Sequence, residues 1–170
     1  MVPSQVREEL LQASDPQEVS MELASLKARE VARSYPSRWV IGADTAVWID
    51  GKPLGKPTGA EDARRMLELL KGRVHTVVTG VCVVRGAWGL EKRCSVSTRV
   101  EIRELSPREM DWYISTGEPL DKAGAYAIQG LGSIFVTRIE GSYTNVVGLP
   151  LPELALMLRE LGAWDFLADP

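Results

Sequence analysis

The spacing of apolar and polar positions divides the chain into alternating helical and extended stretches. Asp15 followed by Pro16 has the form of a helix N-cap and first helical position. From there Val19, Leu23, Leu26 and Val31 make an apolar stripe at helical spacing up to about Ser34, and Pro36 closes it. Residues 1–14 carry no clear pattern. Trp39 to Ile49, WVIGADTAVWI, predicts a strand, and Asp50-Gly51 is a favoured hairpin turn. Thr58 and Glu61 form a capping-box pattern opening a helix through Met66, Leu67 and Leu70, which stops at Gly72.

Two extended runs follow, HTVVTGVCVV (75–84) and CSVSTRVEIRE (94–104), linked by GAWG. The second puts Val96, Thr98, Val100 and Ile102 on one face and Ser97, Arg99 and Glu101 on the other, as in a half-exposed antiparallel strand. Ser106, Pro107 and Glu109 start another capped helix with Met110, Tyr113 and Ile114 on its buried side. The segment TGEPLDKAGAYAIQGLG (116–132) is too rich in glycine for regular structure. A strand at 134–139, the loop GSYTNVVGLP and a helix from Pro152 to Leu161 complete the pattern. Helices interrupt strands while hairpins are also present, so the class is α/β or α+β with a mixed sheet.

Length and charge narrow the picture. At 170 residues the chain has the size of a single domain spanning 1–170, and a 45% hydrophobic content leaves enough for a core. No apolar run reaches the roughly 18 residues of a membrane span, and the charged opening MVPSQVREELL is unlike a secretory signal. Twenty Lys plus Arg against 23 Asp plus Glu give a net charge of −3, which argues against nucleic-acid polymers and membranes as partners. Cys82 and Cys94 make no disulfide framework, and no Cys/His cluster suggests zinc. The expectation is a reduced, cytoplasmic protein.

Asp44 is the most informative residue, because a carboxylate inside the apolar strand VIGADTAV costs roughly several kcal/mol unless it is partnered. It is either satisfied by backbone amides or a nearby lysine, or held as a general base or metal ligand. Gly42 just before it admits close approach of a ligand or second backbone. The 116–132 loop gathers Glu118, Asp121, Lys122, Tyr126 and Gln129, and irregular loops of this length are usually functional. Lys52 and Lys56 flank backbone fixed by Pro53 and Pro57, and Lys27 lies on the first helix; each is a solvated charge by default. The single His75 has no histidine partner and reads as structural, and both cysteines as small apolar residues. Ser142 to Thr144 lack a G-x-S-x-G elbow and a histidine base. Acidic groups, lysines and glycine-rich loops without a nucleophile suit metal-assisted hydrolysis of a phosphate ester or anhydride.

The blocks GADTAV (42–47), GKP (55–57), GRVHTVVTGV (72–81), GEPLDKAGAYAIQG (117–130) and GSYTNVVGLPL (141–151) resemble, in order, the signature blocks of the Maf family. The resemblance implies an elongated two-lobed α/β fold with a central cleft, similar to inosine triphosphate pyrophosphatases. It also implies a divalent-cation-dependent pyrophosphatase, with Mg²⁺ or Mn²⁺ as cofactor and a nucleoside triphosphate as substrate, and it leaves a homodimer open. Asp44 matches the family's proton acceptor. Glu8, Asp44 and Asp121 fall where metal contacts are expected, and Lys27, Lys56 and Lys122 where lysines face the triphosphate. Thr45 and Gln129 match the subgroup acting on dTTP and UTP rather than on methylated guanosine triphosphates. A glutamine amide offers a donor and an acceptor together, complementary to the O4 and N3–H edge of uracil or thymine, and leaves one group unpaired against cytosine.

Family members open with a strand and an S-x-S-P-R-R loop, whereas MVPSQVREE matches a later part of the pattern. The expectation is a start assigned late or trimmed from a longer chain, leaving a sheet edge exposed and triphosphate held more weakly. Alternative readings are a non-catalytic nucleotide-binding or division-linked interaction protein, and a pyrophosphatase for modified nucleotides such as methylated guanosine triphosphate.

Overall fold

The structure, a computed structural model, describes residues 15–164. Helix α1 (Pro16–Ser34) begins as the sequence predicts. The Asp15 side chain accepts a hydrogen bond from the Gln17 amide at 3.0 Å, with proline in the first turn. Its buried face differs from the expected stripe. Val19, Leu26 and Val31 are only partly buried, while Ser20, Leu23, Ala24, Ser25, Ala28 and Ala32 are covered. The reason is close packing against two glycines. A Cβ added at Gly42 would lie 2.4 Å from the Ala24 carbonyl oxygen, and one at Gly80 would lie 2.1 Å from that of Ser20. Backbone approach this near excludes large aliphatic side chains from the contact.

Five strands follow: β1 (Val40–Ile49), β2 (Lys52–Leu54), β3 (Val74–Arg85), β4 (Leu90–Ile102) and β5 (Val136–Glu140). They form one open sheet in the order β2-β1-β3-β4-β5. The class is mixed α/β, and the strands pair antiparallel. Among the described residues the sheet is antiparallel where the sequence predicts a mixed one, because the helix-bearing connection joins β2 to β3, which flank β1 without pairing to each other. The Asp50-Gly51 hairpin has positive φ at both residues, 52° and 72°, which matches the right-handed twist of β1 and β2. Central β3 is buried continuously from Val77 to Val84. Strand β4 starts at Leu90 rather than Cys94, after a 3₁₀ turn over Gly86–Trp88 that Gly89 ends in the left-handed region at φ 61°. Its pairing with β5 sets Arg99 opposite Glu140 and Glu101 opposite Arg138, favourable cross-strand charges.

Helix α2 (Ala60–Leu70) takes Gly59 as N-cap, so the expected Thr58/Glu61 box does not form. Asp62 instead accepts hydrogen bonds from the Thr58 amide at 3.0 Å and hydroxyl at 3.4 Å, one residue out of phase with the sequence pattern. Helix α3 (Pro107–Ser115) carries the full capping box of Ser106 and Glu109. Residues 131–135 coil into a 3₁₀ turn, which delays β5 to Val136. A short helix α4 (Tyr143–Val147) occupies the expected loop, and α5 (Leu151–Glu160) follows.

The chain divides into two compact units, each assembled from separated stretches. One comprises residues up to Asp44, Thr79–Val96 and the chain from Gly148. Within it, one cluster joins Ala24, Ala28, Ala32, Cys82 and Val84, and another joins Val81 and Val83 to Leu154 and Met157 of α5. The other unit comprises Thr45–Val78 and Ser97–Val147. Its core packs Val47, Ile49, Met66, Leu67, Leu70, Val100, Ile102, Met110, Tyr113 and Phe135. Among the described residues, no helix is long and apolar enough to cross a membrane.

Candidate active site

Asp44 lies on β1, 8% exposed, and its Oδ1 accepts a hydrogen bond from the Lys27 ammonium at 2.6 Å. The two readings of Asp44 offered by the sequence therefore meet in one contact, since the lysine that satisfies the carboxylate is a residue expected at the phosphates. The contact exists because Gly42 and the small face of α1 let helix and strand touch. The Lys27 side chain keeps 22% exposure against 9% for Asp44, so the ammonium reaches solvent while the carboxylate is nearly covered. Thr45, the next residue on β1, is half-buried. Glu8 lies outside the described residues.

A second group forms within the unit Thr45–Val78 and Ser97–Val147. The Gly124 amide donates to the Gly55 carbonyl at 3.0 Å, which ties the Gly55–Pro57 loop to the Ala123–Ala125 turn. That turn holds φ 70° at Gly124 and φ 59° at Ala125. A Cβ at Gly124 would meet the Val47 side chain at 2.9 Å, so glycine is needed there twice over. The left-handed Ala125 is a strained conformation of the kind found where surrounding contacts over-determine the backbone. Asp121 receives a hydrogen bond from Lys122 at 2.6 Å. This bond, with further help from the charges of Lys122 and Lys56, holds the Asp121 carboxyl below the usual carboxylate range. Lys56, Asp121 and Lys122 thus act on one patch, with two ammonium groups to one carboxylate. Gln129 is exposed on the turn that follows.

Two residues that the sequence left without a role organise this loop. Glu118 accepts hydrogen bonds from the Tyr113 hydroxyl at 2.8 Å, the Leu131 amide at 2.9 Å and the Gly132 amide at 3.0 Å. Burial pushes its carboxyl up, but the Gly132 and Leu131 amides and the Tyr113 hydroxyl outweigh that and leave it below the ordinary value. Tyr113, expected only as a buried apolar face, also accepts from the Ala127 amide at 3.0 Å. The available signal was Gly130 and Gly132, twelve and fourteen residues after Glu118, where only hydrogen leaves room for these side chains.

His75 agrees with its structural reading. It is 2% exposed, hydrogen-bonded to the Tyr126 hydroxyl at 2.8 Å and set edge-on to that ring at 5.3 Å. Burial lowers its pKa from the ordinary 6.5 to about 4. Cys82 is fully buried in the α1 cluster, and burial raises its thiol to about 11.

Among the described residues, no group of three or more His, Cys, Asp or Glu side chains could hold a metal ion. This donor set still fits Mg²⁺, which characteristically takes one or two carboxylates and completes its shell with water and substrate phosphate oxygens. Asp44 is a hard oxygen donor of that type on a rigid strand.

The sequence matches the family model described as "Maf-like protein" over residues 1–161. A relative from Thermococcus onnurineus, named dTTP/UTP pyrophosphatase, is 55% identical over 163 residues, covering 95% of this chain and 85% of its own. One of the same name from Anaeromyxobacter dehalogenans strain 2CP-C is 51% identical over 162 residues, covering 94% and 81%. A third, from Pyrococcus furiosus, is 47% identical over 160 residues, covering 94% and 83%. The family match and these relatives extend over the stretches that carry Asp44, Lys56, Asp121 and Gln129, and the chain belongs to the Maf-like protein family.

Proposed function

We propose that this chain hydrolyses dTTP and UTP to the nucleoside monophosphate and pyrophosphate, as a single domain over 1–170 working in the cytoplasm. The observation that carries the reading is the nearly buried Asp44 carboxylate, held on β1 by Lys27 at 2.6 Å. The relatives named dTTP/UTP pyrophosphatase support the substrate class.

Asp44 accepts a proton from a water molecule as its oxygen attacks the α-phosphorus. The bond from the α-phosphorus to the bridging oxygen breaks, and pyrophosphate departs with the electron pair. Lys27 orients the carboxylate and presents positive charge at the reacting end. Lys56 and Lys122 neutralise charge on the phosphates, and Asp121 sets the direction of Lys122. A Mg²⁺ or Mn²⁺ ion would be held by Asp44, with Glu8 and Asp121 as further acidic groups, and would supply charge neutralisation and a more acidic water. Gln129 and Thr45 read the pyrimidine edge, the glutamine through its paired donor and acceptor.

The test is pyrophosphate release from dTTP and UTP in the presence of Mg²⁺ by the wild type and Asp44→Asn. The substitution should lower kcat by at least about 100-fold, the scale of a lost general base. Turnover that survives it removes Asp44 from the role of base. Wild-type protein that binds a non-hydrolysable dTTP analogue without turning over dTTP defeats the enzymatic reading.

A further inference from the structure

Gln129 is exposed and, as an isolated glutamine on a glycine-rich turn, has many rotamers and a mobile backbone to choose from. The residues on either side of it restrict the backbone part of that freedom. On one side the Ala127 amide donates to the Tyr113 hydroxyl at 3.0 Å. On the other the Leu131 and Gly132 amides donate to the two oxygens of Glu118 at 2.9 and 3.0 Å. Tyr113 and Glu118 are themselves joined, hydroxyl to carboxylate, at 2.8 Å. The three-residue stretch 128–130 is thereby suspended between two anchors that form a single hydrogen-bonded unit.

Both anchors are rigid. The Tyr113 ring is fully buried on α3 and meets Phe135 edge-to-face at 5.1 Å. Glu118 leads the 3₁₀ turn Glu118–Asp121, and its amide donates to the Thr116 hydroxyl at 3.2 Å. The backbone fits round them without slack. A Cβ at Gly130 would lie 2.3 Å from a Glu118 carboxylate oxygen, and one at Gly132 would lie 2.6 Å from the Tyr113 hydroxyl. A carboxylate that accepts from two backbone amides and a tyrosine makes stronger bonds than a neutral acceptor does.

We propose that Tyr113 and Glu118 are a positioning pair that presents Gln129 and so sets discrimination among pyrimidine bases. This rests on the reading of Gln129 as the base-selecting residue. Neither residue is assigned contact with the nucleotide; they act through the backbone of Ala127, Leu131 and Gly132. A pair that merely stabilised the fold would depress all substrates alike. A pair that aims one amide side chain changes the ratio between bases, because a misplaced Gln129 leaves the O4 and N3–H groups of thymine unpaired.

The experiment compares kcat/KM for dTTP and dCTP in the wild type, Tyr113→Phe, Glu118→Gln, Gln129→Ala and the double variant Tyr113→Phe/Gln129→Ala. Tyr113→Phe keeps the buried ring and removes the hydroxyl. Glu118→Gln keeps the size and turns one acceptor into a donor facing an amide. Each single variant should lower the dTTP to dCTP preference by about tenfold, the scale of a lost hydrogen bond to a charged group. The double variant should match Gln129→Ala alone. Amide exchange of Ala127, Leu131 and Gly132, measured below the melting point, should speed up in Tyr113→Phe and Glu118→Gln, which reads the clamp independently of turnover. A preference lost in Gln129→Ala but intact in both anchor variants overturns the positioning pair alone. An additive double variant, or unchanged exchange at these amides, does the same. Preference intact in Gln129→Ala overturns the base-selecting reading and the pair with it.

Discussion

A histidine sealed at 2% exposure beside a tyrosine hydroxyl titrates against the folded state. Burial holds His75 at a pKa of about 4, whereas the unfolded chain titrates near the ordinary 6.5. Between those values the unfolded state binds more protons, so stability rises with pH across that window and falls as the solution is acidified. The shift corresponds to about 3 kcal/mol of stability present above pH 6.5 and lost by pH 4. His75→Gln keeps a partner for Tyr126 and cannot titrate. Urea denaturation at pH 7 and pH 4.5 should show a smaller difference for the variant than for the wild type; equal differences would remove His75 from the acid sensitivity. Asp44 was conspicuous in the sequence because charge inside an oily strand needs an explanation. Its partner was not, since nothing local connects Lys27 to a strand seventeen residues later.

The elements were legible wherever local chemistry decides them. Asp15 with Pro16, Asp50 with Gly51, and Ser106 with Glu109 each act within four residues, and each does what its pattern predicts. The capping of α2 slipped by one residue because Asp62 competes successfully for the Thr58 amide. The buried face of α1 departs from its hydrophobic pattern for a different reason. Hydrophobic periodicity weights large aliphatic residues, while the real contact selects small ones, Ser20, Ala24 and Ala28, against two glycines. Gly42→Ala tests that contact. The new methyl group meets the Ala24 carbonyl, pushes α1 outward and draws Lys27 off Asp44. Stability should fall by about 1–3 kcal/mol, the usual cost of overpacking, and kcat/KM for dTTP should fall with it. Urea denaturation and steady-state kinetics measure the two effects, and unchanged values for both would show that α1 does not need to lie this close.

For the molecule as a whole, a net charge of −3 leaves any hold on a polyanion to locally placed lysines or to metal. Mg²⁺ characteristically takes one or two carboxylates and completes its shell with water and substrate phosphate oxygens, so metal should matter for turnover and not for folding. Chelation should abolish pyrophosphate release, Mg²⁺ or Mn²⁺ should restore it, and the denaturation midpoint should stay fixed. A midpoint that drops on chelation would reveal a metal that supports the fold.

Sequence alone was enough for the α/β class, most element boundaries, the hairpin, the family blocks and the candidates Asp44, Lys56, Asp121, Lys122 and Gln129, because caps, turns and alternation depend on near neighbours. Only the tertiary structure decided the strand order, the register of β4 on β5, the small face of α1, the Lys27–Asp44 contact and the clamp of Tyr113 and Glu118 on the 127–132 backbone. Those depend on which distant groups exclude water together, a choice made by packing rather than by spacing along the chain.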